Sequence, residues 1–518
     1  MGRRIRWLGV IMVACLGLVV VQLVNIQLVK AKQLSTSPDN PRVAVLSSDN
    51  ARGTIYAADG TVLAQSVPTP ASVNPQDYRY DYVRQYPDGP LFAGITGYDS
   101  ALYYGTAGIE EQYNSYLTAQ TQAPQTLSQL LFREKMPLTT NSVTLTVEPS
   151  LQQQAWNALT TLPPGENKDG AVVVLQPSTG DVLAMVSNPT YDPNALVGTS
   201  LSAELLAHYS YTQKDHEGFF PLQPIATGET FAPGSTMKVV TSTAAYNLKP
   251  ALAAFNYPVQ ACQTFPDGKP LCDESGPCGG TMTAMLPASC DPGYAELGVQ
   301  EGVPILTKQA QLFGYDAVPP IDLPGVVPSE FPSLPANSQA LLGQSAIGQF
   351  NVQTTALQNA MVAAGIANGG VLMTPHLMSS IHDARGNTVT SYTPKAMGTV
   401  ATSTVTQQLT SLMESVATAP GATAAGVGFP SWLCAAVKTG TATASEVTQD
   451  WMIGFAPANH PQVAVAVVVP QQYIGSDGAE VAGPIMKAVL EAAVPQSSVS
   501  QPCNVQPVPV STFTQSAA

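Results

Sequence analysis

Charge is scarce in this chain of 518 residues: Asp, Glu, Lys and Arg together make up 11% of it. Basic residues are the scarcer kind, 21 against 35 acidic ones, which leaves a net charge of −14. Phosphate backbones demand a basic footprint, so nucleic acid is excluded as a partner. Histidine occurs five times, with no H-x-x-x-H pair and no Cys/His cluster, so neither a metal nor another cofactor is expected. Proline and glycine, by contrast, number 44 and 41, and predict long irregular loops. The length allows two or three domains and at least one large core.

The first thirty residues hold one long apolar run. Arg3, Arg4 and Arg6 precede Trp7 to Val21, and Leu23, Val24, Ile26, Leu28 and Val29 continue it. About twenty apolar residues suffice for a bilayer-spanning helix. A cleaved secretory signal is the competing reading, but no small-residue A-x-A site follows the run. An uncleaved anchor is therefore expected over residues 1–29, with its arginines in the cytoplasm and the rest of the chain outside. The cysteines suit that placement. Cys262, Cys272, Cys278 and Cys290 crowd one window, and an oxidising compartment permits disulfides there, with three possible pairings. Zinc is disfavoured for the same four residues by the compartment and by the lack of a C-x-x-C knuckle.

A polar linker, "AKQLSTSPDNPR", follows the anchor, and residues 30–140 read as a β-rich support domain with a hairpin-type turn at Asp59-Gly60. From about 141 the pattern changes. A helix opens at Pro149, and "GAVVVLQPSTGDVLAMVS" reads as two strands joined by a Pro-Ser-Thr-Gly turn. Three more strands are expected in "AAVKTGTAT", "WMIGFAP" and "VAVAVVV", after a long stretch of helical pattern that includes "TTALQNAMVAAGIANGG". Two strands, a helical insertion and three strands predict an α+β fold built on one five-stranded antiparallel sheet over residues 141–492. Residues 493–518 are polar and proline-rich and are expected to be disordered.

Chemistry is concentrated in "FAPGSTMKVVTSTAAYN". The plain reading makes Ser235 a helix cap and Lys238 a solvated side chain. The surrounding residues, however, are apolar or small, so the helix is expected to be buried, and a lysine in its first turn opposes the helix dipole. Burial and a positive helix end both favour the uncharged amine. An uncharged amine three residues after a serine can take that serine's proton. In "VKTGTA", Lys438, Thr439 and Thr441 offer donors to an anion from a strand, and Gly440 removes a side chain where a substrate could approach. "LPASCDPGYAELG" adds Ser289 and Asp291 between the two.

The order S-x-x-K, S-x-N-like, K-T-G resembles the signature of the penicillin-recognising serine enzymes. "DNARGTIYAADGTVLAQS", "ITGYDSALYYGTAGIEEQYNSYL", "GETFAPGSTMK" and "AIGQFNVQTTALQNAMVAAGIANGG" narrow the resemblance to the class B penicillin-binding proteins of the actinobacterial branch, over roughly residues 45 to 490. That resemblance implies the transpeptidase fold with a helical subdomain, and a dimerisation-type support domain in front of it. It implies a peptidoglycan D,D-transpeptidase that binds stem peptides and β-lactams, working beside a membrane-embedded glycosyltransferase. Ser235 would be the nucleophile, Lys238 its base and Ser289 the relay to the leaving amine. Lys438, Thr439 and Thr441 would hold the terminal carboxylate on the strand that Gly440 opens. The backbone N–H groups of Ser235 and Thr441 would form the oxyanion hole. A disulfide from Cys290 to Cys262, Cys272 or Cys278 would fix the Ser289 loop, with Cys278 the favoured partner.

Asp291 departs from the family, which has Asn there. An ionised Asp only accepts hydrogen bonds, and beside Lys238 it would favour the ammonium form and blunt the base. It is protonated, turned away, or part of a different acylation route. Phe350 and Ala356 stand where the family has Gly and Pro, and both are expected on a packing segment. Two other functions compete: a D,D-carboxypeptidase or β-lactamase with water as acceptor, and a penicillin-binding scaffold or sensor with weakened catalysis.

Overall fold

The computed structural model describes residues 2–25, 30, 50–121 apart from 77, 79, 103 and 104, 138–162, and 168–499 apart from 336 and 445. The linker expected after residue 30, the end of the anchor at 26–29 and the tail from 500 onward lie outside them. Helix α1, Gly2–Val24, exposes Trp7, Met12, Val13, Leu16 and Leu18. No helix among the described residues is long and apolar enough to cross a membrane, so the expected spanning segment is not shown. Gln496–Ser498 forms a 3-10 turn inside the stretch expected to be disordered.

The N-terminal region begins with strands β1 (Ile55–Tyr56), β2 (Val62–Pro68) and β3 (Tyr82–Gln85), followed by β4 (Ser142–Leu145). Gly60, at φ 88°, makes the turn between β1 and β2. Helix α2 (Pro149–Thr160) leads into strands β5 (Gly170–Leu175) and β6 (Val182–Asn188). The helical part contributes α3 (Met237–Leu248), α4 (Asp291–Glu301) and α5 (Ala356–Ala367). Strands β7 (Met378–His382) and β8 (Thr388–Ser391) come next. Strands β9 (Ala436–Ala444), β10 (Val447–Ala456) and β11 (Val463–Tyr473) and helix α6 (Ala482–Ala493) complete the domain.

The central sheet has the order β6-β5-β11-β10-β9, with every neighbouring pair antiparallel, so the α+β fold with a five-stranded sheet holds. Strand β5 is buried at all six positions, as is most of β11. Their apolar runs do not alternate because helices cover both faces. Helix α5 packs against β5, β10 and β11, while α6 packs with α2 and against β10 and β11. The sheet leaves β9, the strand with Lys438 and Thr441, at an edge open to a substrate.

A second sheet has the order β8-β7-β4-β1-β2-β3: β8 pairs with β7, β7 pairs with β4, and β4 runs parallel to β1, so two strands from late in the chain join the N-terminal sheet through β4. The two regions thus share a sheet. The segments quoted for their family resemblance in the N-terminal region meet in its core. Glu110 Oε2 accepts from Arg52 Nε and its Oε1 from Arg84 Nε, each at 2.6 Å, and the Glu110 carbonyl accepts from Arg52 Nη2 at 2.8 Å. Arg52 also donates to Asn114 and Thr118. Burial pushes the Glu110 carboxyl up, but the Arg84 and Arg52 guanidinium groups outweigh it and hold it below the ordinary glutamate range. Because the folded value is depressed, its stabilisation is present above the unfolded value and is lost as pH falls through the folded one.

Glu110→Ala removes the carboxylate that holds Arg84, while Arg52 keeps Asp99 at 3.5 Å, and is expected to cost about 3–5 kcal/mol at neutral pH, the range for breaking a buried pair. Denaturant melts of the two proteins measure it, and a loss under about 1 kcal/mol, the size of an exposed pair, contradicts this description of the core.

Candidate active site

Ser235 sits in a 3-10 turn, Gly234–Thr236, that runs directly into α3. Helix α3 is buried from Met237 to Ala245, so Lys238 is wholly enclosed. The turn is gripped from two sides. A Cβ on Gly440 would lie 2.7 Å from the Pro233 carbonyl and 2.8 Å from Thr236 Cγ2, and one on Gly234, at φ +53°, would lie 2.6 Å from the Thr441 carbonyl. On the other side the Gly234 N–H donates to the Gly348 carbonyl at 2.9 Å. The close approach that Gly440 permits is therefore that of the Ser235 turn, which rests on β9. Ala232, just before the turn, is held by Gln449 and Trp451 of β10.

Ser289 reaches the same place from the loop before α4. Its φ of 56° is left-handed, and its carbonyl accepts from Lys238 Nζ. Its Oγ lies 3.2 Å from Lys238 Nζ and 2.9 Å from Lys438 Nζ, so one hydroxyl joins two buried amines. Lys438 Nζ also donates to the Thr439 carbonyl at 2.8 Å. Burial, then the nearby Lys238 charge, drives the Lys438 amine well below the ordinary lysine range, against the opposing pull of Asp291 and Asp273. Its surroundings thus turn the Lys438 amine toward the neutral form.

Asp291 Oδ1 is 2.5 Å from Lys238 Nζ, so the Asp291 side chain is not turned away from the lysine. It opens α4, where the helix end favours negative charge. The Asp291 N–H donates to Asp273 Oδ2 at 3.0 Å. Cys278 and Cys290 form a disulfide beside it, and a second bridge joins Cys262 to Cys272. Asp273 lies near the Cys278 and Cys290 sulfurs, but those two are bonded to each other and offer no thiolate to a metal.

Ser235, Ser289, Asp291, Thr439 and Thr441 line one cleft of about 530 Å³. Phe350 lines it too. Expected on a packing segment, the Phe350 side chain is instead 37% exposed and its φ is 60°. The family's glycine was the overlooked signal, since glycine marks a position that needs a positive φ. Ala356 is fully buried at the start of α5, on a packing segment as expected. Asp273 and Gly348 were missed because their roles lie in long-range contacts that no local spacing shows.

A serine on a rigid turn, with two buried lysine amines sharing a hydroxyl behind it and threonines on the strand beside it, suits acyl transfer through a serine. The comparisons agree. Residues 170–491 match the penicillin binding protein transpeptidase domain, and residues 52–136 match the penicillin binding protein A dimerisation domain. The chain belongs to the penicillin-binding transpeptidase family. It is 36% identical over 508 residues to the peptidoglycan D,D-transpeptidase PbpA of Mycolicibacterium smegmatis, covering 94% of this chain and 98% of that one. The protein of the same name from Mycobacterium tuberculosis is 34% identical over 514 residues, 95% of this chain and 99% of the relative. The ceftriaxone acyl-enzyme of penicillin-binding protein A from M. tuberculosis superposes with a TM-score of 0.75 at 30% identity, over 86% of this chain and 99% of that one.

Gly440→Ala forces the Ser235 turn off β9. A displacement of about 1 Å lowers the rate about a hundredfold, so penicillin acylation should fall by that much while the fold, followed by circular dichroism, persists. A variant that acylates at the wild-type rate contradicts the packing described.

Proposed function

We propose that this chain is a membrane-anchored peptidoglycan D,D-transpeptidase in which Ser235 forms the acyl-enzyme. The observation that carries the residue assignment is the Ser289 hydroxyl, placed between Lys238 and Lys438 beside the Ser235 turn. Ser235 Oγ attacks the carbonyl between the last two D-alanines of a stem peptide. Lys238 is the base. Its pairing with Asp291 calls for a proton to leave first, from Lys238 Nζ through Ser289 Oγ to Lys438 Nζ. Lys238 then takes the Ser235 proton as the Oγ–C bond forms. The C–N bond breaks, and Ser289 passes a proton from Lys438 to the departing D-alanine amine. An amine of a neighbouring stem reverses the exchange and makes the cross-link.

Lys438, Thr439 and Thr441 hold the donor's terminal carboxylate, and the Ser235 and Thr441 N–H groups face the oxyanion. The Cys278–Cys290 disulfide fixes the loop that carries Ser289. β-Lactams enter as donor mimics, since they also present a reactive carbonyl beside a carboxylate. The membrane assignment rests on Arg3, Arg4 and Arg6 ahead of the apolar run in α1, and places the catalytic domain outside the cytoplasm. A membrane-embedded glycosyltransferase supplies the glycan strands in this reading.

Labelling with a fluorescent penicillin tests it: a stable adduct in the wild type, absent in Ser235→Ala, is expected. Rapid turnover of the drug points to a hydrolase, and no adduct at all to a scaffold. Asp291→Asn removes the carboxylate from Lys238 and should keep or raise the acylation rate. A fall of more than tenfold, about 1.4 kcal/mol of barrier, shows that the carboxylate is required.

A further inference from the structure

Asp450 stands directly opposite Thr441 across the β9–β10 pair, and it is fully buried. Opposed residues of an antiparallel pair share a face, with Cβ atoms about 4.5–5.5 Å apart. A carboxylate therefore lies one side chain away from the threonine to which the proposed function gives a substrate carboxylate. Left loose, it would repel that anion and compete for the Thr441 hydroxyl.

The turn between β11 and α6 manages this. Ser476, itself buried, donates from Oγ to Asp450 Oδ2 at 2.6 Å, and its Oγ is 2.7 Å from Thr448 Oγ1. Two residues later the Gly478 N–H donates to Thr441 Oγ1 at 3.1 Å. The turn is seated tightly on the strands, since a Cβ on Gly478 would lie 2.3 Å from the Trp451 carbonyl and 2.5 Å from that of Gly440. The Gly478 carbonyl in turn accepts from the N–H groups of Ala482 and Gly483, which open α6. With an N–H on its oxygen, Thr441 has its own O–H to give, and Ser476 occupies Oδ2 of the Asp450 carboxylate.

We propose that Asp450 and Ser476 are positioning residues for the recognition of the substrate's terminal carboxylate. They hold the 476–478 turn so that Thr441 donates its hydroxyl into the cleft. This rests on the assignment of Thr441 to the carboxylate. Neither residue touches substrate; both act through Gly478 and Thr441.

The test compares acylation of the full chain by a penicillin and by its methyl ester, which lacks the anion. The wild type should prefer the free acid. Ser476→Ala and Gly478→Ala should each lower that preference about tenfold, or about 1.4 kcal/mol, through the free acid alone. Asp450→Asn still accepts the Ser476 hydroxyl and should retain the preference, whereas Asp450→Ala should lose it as Ser476→Ala does; an Asp450→Ala that keeps it overturns the role of Asp450. Equal slowing of both probes, or an unchanged preference, in Ser476→Ala and Gly478→Ala overturns the proposal, since a merely structural role moves both probes together. Thr441→Val separates the two failures. If it keeps the preference, the assignment of Thr441 falls; if it loses the preference while Ser476→Ala and Gly478→Ala keep it, the positioning pair alone falls.

Discussion

One serine hydroxyl shared by two enclosed lysine amines is the constraint on which the site depends. Lys238 comes from α3, Lys438 from β9 and Ser289 from the loop before α4, so helix, sheet and insertion must all be in place. Burying two amines together is unfavourable by desolvation and by repulsion. The structure answers with a carboxylate on Lys238, carbonyls of Ser289 and Thr439 on the two amines, and a Lys438 amine driven toward neutrality. In the proposed mechanism a proton moves along Lys238, Ser289 and Lys438 without placing two full charges side by side.

Rigid packing keeps that route aligned. The Ser235 turn is closed between β9 and the Gly348 loop by glycines whose missing side chains let backbones touch. The Ser289 loop is held in a left-handed turn by the Cys278–Cys290 bridge and by Asp273. An interior that close-packs transmits small displacements, so groups well away from the chemistry control its geometry. The same logic extends along β9 to Thr441, where the turn after β11 takes over from the turn before α3.

The central sheet was legible because its strands are long apolar runs punctuated by turn residues; Ala171–Leu175 and Val463–Val469 could hardly be anything else. Helix α5 was legible through its glycine stop. Ser235, Lys238 and Lys438 stood out because a lysine in the first turn of a buried helix and a polar strand both contradict their surroundings. Other features were not legible. Strands β7 and β8 carry no local mark of pairing with the N-terminal sheet, since register between distant strands is a tertiary property. Phe350 hid its cleft position because its left-handed backbone is invisible in an aromatic residue. Asp450 and Ser476 are ordinary residues until the sheet sets one of them opposite Thr441. The pairing of Asp291 with Lys238 settles its direction, which the motif alone left open.

The most direct test of the shared-proton cluster is the pH profile of Ser235 acylation by a penicillin, corrected for the drug's own hydrolysis. With Lys438 driven toward neutrality, the rate should level off well short of the ordinary lysine value of about 10.4 and stay flat above that point. A rate that keeps climbing tenfold per pH unit through about pH 10 would mean that an unperturbed lysine is the proton acceptor, and would contradict the account.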